Sequence, residues 1–331
     1  MRRSIYLLMA MCMLAISCQK EIQTDDPNAD VNGPFYLSLV SNTATTASFE
    51  GAIDLKLYDD CQEVGIIYSL NETLDAEIDS SCVKHITTID KECGFSKKIV
   101  YLTHDTEYYY SGYVLLSNGL YQLGPVNKFK TSPVNFGVVN VDASLSKADI
   151  HGKIELPEED LWKIEFGMVV SEDADFSTDI YNSYLDVELD GSYSARLEGL
   201  DINTTYHCCL FAQQGFKVTR SMDKTFMTDS ASMTLYAKEI NNTYVEFTGS
   251  VPLHQLEEEP DLQYGILISE RADLDYDSNE CERYRLNVDD NGEFTYTINF
   301  LNHSTKYYYC WYIRSRGNIQ YGGVMSFTTV Y

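Results

Sequence analysis

Basic residues are scarce in this sequence. It has 24 Lys and Arg against 50 Asp and Glu, a formal net charge of −26. Such a chain repels a phosphate backbone, and no basic stripe offsets the repulsion, so nucleic acid is excluded as a partner. Acidity of this size fits solubility at a crowded surface better than a binding code. Helical periodicity is also missing: past residue 17 no stretch holds a 3.6-residue repeat for long. Catalytic signatures are missing too. There is no G-x-S-x-G and no phosphate loop, and His85, His104, His151, His207, His254 and His303 show no metal-protease spacing. Acidic pairs are too plentiful to single out one acid and one base. These absences predict a non-enzyme with no catalytic residue and no cofactor.

Cysteine spacing excludes more. No C-x-x-C occurs, which argues against a zinc site. Seven cysteines follow Cys18: Cys61, Cys82, Cys93, Cys208, Cys209, Cys281 and Cys310. An odd number cannot all pair within one chain, and the adjacent Cys208 and Cys209 have a geometry that rarely bridges. The expectation is free, mostly buried thiols, with at most one or two bridges such as Cys61–Cys93.

What the sequence does have is a tyrosine motif in three copies. It reads Leu102-Thr-His-Asp-Thr106-Glu-Tyr108, Leu200-Asp-Ile-Asn-Thr204-Thr-Tyr206 and Leu301-Asn-His-Ser-Thr305-Lys-Tyr307. Other landmarks keep step with it. Gly51, Gly152 and Gly249 come early in each copy. Val64-Gly65-Ile-Ile, Phe166-Gly167-Met-Val and Tyr264-Gly265-Ile-Leu follow. Phe129-Lys-Thr131, Phe226-Met-Thr228 and Phe327-Thr-Thr329 close the copies. The period of roughly 100 residues is too long for a solenoid and fits a complete small domain. Within each copy Tyr, Val, Ile, Phe and Thr alternate with polar residues, and turn residues punctuate them, as in short strands. Ser117-Asn118-Gly119 and Ser315-Arg316-Gly317-Asn318 read as hairpin turns after the tyrosine strand. The fold class is all-β, a sandwich in each copy.

L-x-x-x-T-x-Y entering a strand, with F-x-T at the unit's end, resembles the fibronectin type III domain. That resemblance gives Tyr108, Tyr206 and Tyr307 the role of a structural tyrosine corner, whose hydroxyl bonds to nearby backbone. Two features depart from the family pattern. The usual Pro two residues after the Leu is replaced by His104, Ile202 and His303, and the expected early Trp is not evident. The resemblance implies three tandem fibronectin type III-like β-sandwich domains, at residues 35–132, 133–229 and 230–331. It speaks for fold and not for function. Short linkers between the copies imply an extended rod.

Residues 1–17 read as a signal peptide: Arg2 and Arg3, then an apolar core from Ile5 to Ile16, too short to span a bilayer in the usual way. Ala15-Ile-Ser17-Cys18 resembles a bacterial lipobox, which implies cleavage before Cys18 and lipid attachment to it. Residues 18–34 carry little that is apolar and read as a flexible tether. The style resembles Bacteroidetes lipoproteins. That implies outer-membrane anchoring and, from the partial signal Gln19-Lys20-Glu21, display at the cell surface, with a periplasm-facing position as the alternative. Asp229-Ser230-Ala231 resembles the O-glycosylation site of the same group, which makes Ser230 the acceptor.

Two further sets are candidates. Asp273, Asp275 and Asp277 start like a calcium loop, but Ser278 and Tyr284 stand where a Gly and a bidentate Glu belong, so a solvated turn is favoured over a metal site. On the tyrosine strand side chains alternate. With the corner ring inward, Tyr109 and Tyr113, His207 and Phe211, and Tyr308 and Tyr312 point outward. These rings are either covered by neighbouring strands and side chains or form a binding face for sugars or proteins. The inward set puts Tyr309 and Trp311 where the second copy has Cys208 and Leu210, so the second copy is expected to be the least stable alone. The expected function is a non-enzymatic, surface-anchored scaffold or adhesion protein that presents a rod of β-sandwich domains for protein or surface binding. The alternatives are a glycan-binding accessory of a polysaccharide-uptake system and a structural spacer.

Overall fold

A computed structural model describes residues 35–75, 82–90, 92–137, 139–316 and 318–331. Cys18, the signal peptide and the tether lie outside the described residues. The strands β1 (Phe35–Asn42), β2 (Ala47–Ile53) and β5 (Gly94–Ile99) form one sheet in the order β1-β2-β5. A second sheet holds β4 (Val83–Thr87), β3 (Cys61–Ser69), β6 (Glu107–Leu116) and β7 (Tyr121–Leu123), and β8 (Asn127–Lys130) also pairs with β6. The same plan recurs. Strands β9 (Val139–Ala143), β10 (Lys147–Lys153) and β13 (Ser192–Glu198) form the small sheet. The larger has β12 (Asp179–Tyr184), β11 (Glu165–Ser171), β14 (Thr205–Gln214), β15 (Lys217–Arg220) and β16 (Lys224–Met227). It recurs once more as β17 (Tyr236–Ile240), β18 (Tyr244–Ser250) and β21 (Glu293–Asn299). These accompany β20 (Glu282–Arg285), β19 (Gln263–Ser269), β22 (Lys306–Ser315), β23 (Asn318–Tyr321) and β24 (Met325–Thr328). The fold is all-β, a tandem array of fibronectin type III-like sandwiches.

Alternation explains the small sheets. β2 buries Ala47, Phe49, Gly51 and Ile53 at every second position. Phe49 meets Tyr110 of β6 at a ring-centroid distance of 4.9 Å and Phe129 of β8 at 5.8 Å, which closes the first core between its sheets. The tyrosine strand is the centre of each large sheet and is buried on both faces, as the pattern of β14 shows. Each large apolar side chain withdrawn from water contributes about 1.5–3 kcal/mol.

Among the described residues, three short helices escape the sequence pattern. α1 (Leu55–Tyr58), α2 (Glu158–Leu161) and α3 (Leu253–Glu258) each follow the second strand of a copy. They are too short to display a period, and the latter two start after Pro157 and Pro252. Among the described residues no helix is long and apolar enough to cross a membrane.

By packing, the chain falls into two compact units. Of the described residues, one holds Phe35–Asn42, Ala47–Ile99 and Glu107–Lys130; the other holds Thr43–Thr46, Val100–Thr106 and Thr131–Tyr331. Packing inside the second unit ignores the expected boundary at Asp229. Leu145 and Ile202 are buried in one cluster with Ala231, Met233, Phe247 and Tyr309. Ala44 likewise joins the cluster of Val134, Ile150 and Leu161.

Candidate functional site

The repeated motif is a loop lock. Leu102, Leu200 and Leu301 donate their backbone N–H to the carbonyls of Thr45, Ser146 and Thr243, each at 2.9 Å. Asp105, Asn203 and Ser304 turn the chain at φ of 45, 51 and 50°, and two of these are residue types that tolerate the left-handed region. The hydroxyls of Thr106, Thr204 and Thr305 donate to the carbonyls of His104, Ile202 and His303 at 2.8, 2.9 and 3.0 Å. The closing threonines complete it. Thr131, Thr228 and Thr329 donate to Thr103, Asp201 and Asn302 carbonyls at 2.6 Å and accept from the N–H of Thr106, Thr204 and Thr305. The phenol oxygens of Tyr206 and Tyr307 accept from the N–H of Asp201 and Asn302 at 2.8 and 2.9 Å. Tyr108, Tyr206 and Tyr307 stack on Phe129, Phe226 and Phe327 at 5.7, 5.6 and 5.7 Å, so the three rings have like surroundings.

The outward rings lie on the face away from the main core, but the second of each pair is not exposed. Tyr113, Phe211 and Tyr312 are 0%, 8% and 4% exposed. Each crosses over a glycine on the next strand: Gly65 pairs with Tyr113, Gly167 with Phe211 and Gly265 with Tyr312. A Cβ on Gly167 would sit 2.1 Å from Phe211 Cζ, and one on Gly265 2.1 Å from Tyr312 Cζ. The loop after the same strand then covers the ring, through Leu74 in the first copy, Phe176 in the second and Leu274 with Tyr276 in the third. Tyr109, His207 and Tyr308 are half-buried. Tyr109 donates to Glu107, His207 meets Asp223 at 2.8 Å, and Lys306 lies 4.8 Å from the Tyr308 ring. Of the two readings that alternation left open, Tyr113, Phe211 and Tyr312 follow the covered one and form a second, smaller core in each copy.

The acidic loop has a part in this. Tyr276 packs edge-on against Tyr312 at 4.9 Å. Asp275 accepts from the N–H of Asp277 at 3.0 Å, and Asp273 pairs with Arg271 at 3.3 Å. Among the described residues no group of three His, Cys, Asp or Glu side chains is placed to hold a metal ion. Asp275 and Asp277 flank Tyr276 in a turn. Ser230 is exposed, its hydroxyl 2.8 Å from Asn203 Oδ1. Cys61, Cys208, Cys281 and Cys310 carry free thiols, so Cys61 forms no bridge with Cys93. Burial pushes Cys208 up to about 12 and Cys310 up to about 11, which makes both thiols poor nucleophiles.

The loop position of His104 separates the copies. His104 is 0% exposed, and its Nδ1 and Nε2 meet Gln214 Oε1 and Thr219 Oγ1 at 3.2 and 3.0 Å. Gln214 also donates to the Leu102 carbonyl, and Lys217 to that of Asp105. Nearby, the Asp160 carboxylate of α2, itself 0% exposed, accepts from the N–H of Ala44 and Thr45, each at 3.1 Å, and from Thr43 Oγ1 at 3.0 Å. The next copy repeats the arrangement: Ile202 is 0% exposed, Asn318 donates to its carbonyl at 2.9 Å, and Ser146 donates to Glu259 beside α3. In the third copy the matching Asn242, Thr243 and His303 are all exposed. Sequence alone paired His104 with His303 and could not separate them, because their difference lies in what packs on them.

A cleft of 590 Å³ opens in the third sandwich between β20 and the end of β21. Glu270, Arg271, Glu282, Phe300 and Asn302 line it. Arg271 is paired with Glu280 at 2.8 Å, and Asn302 Nδ2 donates to Glu270 Oε1 at 3.0 Å. Phe300 stands at the rim with a φ of 66° and a fully exposed ring. Leu301, Asn302 and Tyr307 of the tyrosine motif also line it, but the motif gave no sign of a cleft.

No protein-family model matches the sequence, and no curated protein matches it. Among solved structures the chain is similar to the crystal structure of chicken CNTN1 FN1-FN3 domains. The identity is 13%, the match covers 89% of this chain and 97% of that one, and the TM-score is 0.24. The fold assignment rests on the strand order and the loop lock described above.

Proposed function

We propose that this chain is a non-enzymatic lipoprotein, held in the outer membrane by lipid on Cys18 and displayed at the cell surface, whose third sandwich docks a protein partner. The observation that carries this is the loop end formed by Asn242, Thr243 and His303. The same positions in the two preceding copies are buried in polar and apolar contacts; here they are exposed. A face already used twice to hold a folded module suits a third folded module. The acidic surface keeps the display soluble.

Two measurements test the reading. Cys18→Ser should remove a lipid-sized mass and release the protein from membranes; an unchanged mass and membrane fraction would refute the anchor. Immobilised chain, wild type and Thr243→Arg/His303→Glu, should then be presented with outer-membrane extract. A protein retained by the wild type and lost from the double variant supports docking, whereas equal recovery by both refutes it.

A further inference from the structure

Phe300 is an aromatic residue where the backbone favours glycine. Its φ of 66° lies in the left-handed region, where a bulky side chain strains the backbone. The second copy meets the same requirement with Gly199 at φ 83°. The first copy uses Tyr101 at φ 64°, and there the ring has work to do: it packs edge-on to Trp162 at 6.5 Å and lies 5.6 Å from Lys163 Nζ. Among the described residues no ring packs on Phe300, and its relative exposure is 98%. Strain is kept for a ring that stabilises nothing in the fold.

The ring borders the 590 Å³ cleft, a volume within the ordinary range for small-ligand sites. Its charge is net negative: Glu270, Glu280 and Glu282 outnumber Arg271, which is already paired with Glu280 at 2.8 Å, so the cleft repels an anion. A carboxylate offers about four acceptor positions. Glu270 accepts from Asn302 and Glu282 from Tyr284, so both retain room for hydroxyl donors. A ligand rich in hydroxyls, free of negative charge and with one flat apolar face, meets all of these demands; a neutral sugar is such a ligand.

We propose that this cleft binds a neutral saccharide, with one sugar ring stacked on Phe300 and its hydroxyls donating to Glu270 and Glu282. The site is distinct from the docking face at Thr243 and His303, and either can fail without the other.

The test titrates the full chain, purified in detergent, with cello-, xylo-, manno- and maltohexaose by calorimetry, and with oligogalacturonate and octalysine as charged probes. At least one neutral series should bind at a single site. Phe300→Ala should weaken that binding about tenfold, the loss of one stacked ring. Phe300→Gly should do the same while its melting midpoint stays level or rises, since glycine suits the backbone there. Glu282→Gln should weaken binding, and Thr243→Arg/His303→Glu should leave it unchanged. The proposal is overturned if none of the neutral sugars binds at millimolar concentration, if Phe300→Gly binds as well as the wild type, or if only a charged probe binds.

Discussion

Gly167→Ala offers the sharpest test of the second core. The added Cβ would lie 2.1 Å from Cζ and 2.5 Å from Cε1 of Phe211, and 2.7 Å from the Ser183 carbonyl. No real Cβ contact is that short, so the ring must leave its place over the strand. Phe211 would then lose its packing on Val169, Cys209 and Phe176. Overpacking costs about 1–3 kcal/mol, and exposing a buried Phe costs about 1.5–3 kcal/mol. Against this, alanine is better than glycine in a strand by about 0.5–1 kcal/mol. The expected net destabilisation is about 2–4 kcal/mol. Phe211→Ala removes the obstacle, so in that background Gly167→Ala should cost less than about 1 kcal/mol, the remainder coming from the Ser183 contact. Urea melts of the four proteins, with hydrogen exchange of the β11 amides as a local probe, measure the coupling. The second unit holds two sandwiches, and a single midpoint need not describe both. A Gly167→Ala protein within about 0.5 kcal/mol of wild type, or an equal cost in both backgrounds, would refute the account of why this glycine recurs.

Other outcomes follow from buried polar groups. Asp160→Ala strands the N–H groups of Ala44 and Thr45 and the Thr43 hydroxyl, so a urea melt should show a loss of about 3–5 kcal/mol; a loss below about 1 would mean water replaces the carboxylate. Burial foremost, with Lys217 adding to it, holds the His104 pKa below its ordinary 6.5. The folded state thus binds the proton less well than the unfolded chain, and the stabilisation is present above pH 6.5 and lost as pH falls through the folded value. The urea midpoint should drop on acidification below neutrality, and His104→Gln should flatten that drop; an identical pH profile in the variant would contradict it. Cys208 and Cys310 should resist iodoacetamide in the folded chain and react once it is unfolded, and mass spectrometry showing early labelling of either would overturn the burial argument.

Much of the architecture was legible because a sandwich repeats a few local demands. The L-x-x-x-T-x-Y and F-x-T residues turned out to be partners in one hydrogen-bonded loop, and their spacing already showed that they travel together. The glycines of Val64-Gly65, Phe166-Gly167 and Tyr264-Gly265 were visible as landmarks, but their reason was not. It lies across the strand, in rings more than forty residues further on. Alternation correctly put those rings outside the main core and could not show that a loop closes over them. The one-turn helices left no period to read. The cleft beside Phe300 was invisible because strain at a single φ leaves no mark on composition.

Leu145 and Ile202 sit within the sequence of the second copy, yet they are buried among side chains of the third. A cut at Ser230 would leave two greasy scars, one on each product, where a bead-on-a-string protein would leave none. An excised second copy would therefore report the loss of its neighbour as much as any weakness of its own. A recombination event that moved one copy without the other would carry the same penalty, so these two sandwiches travel best as a pair.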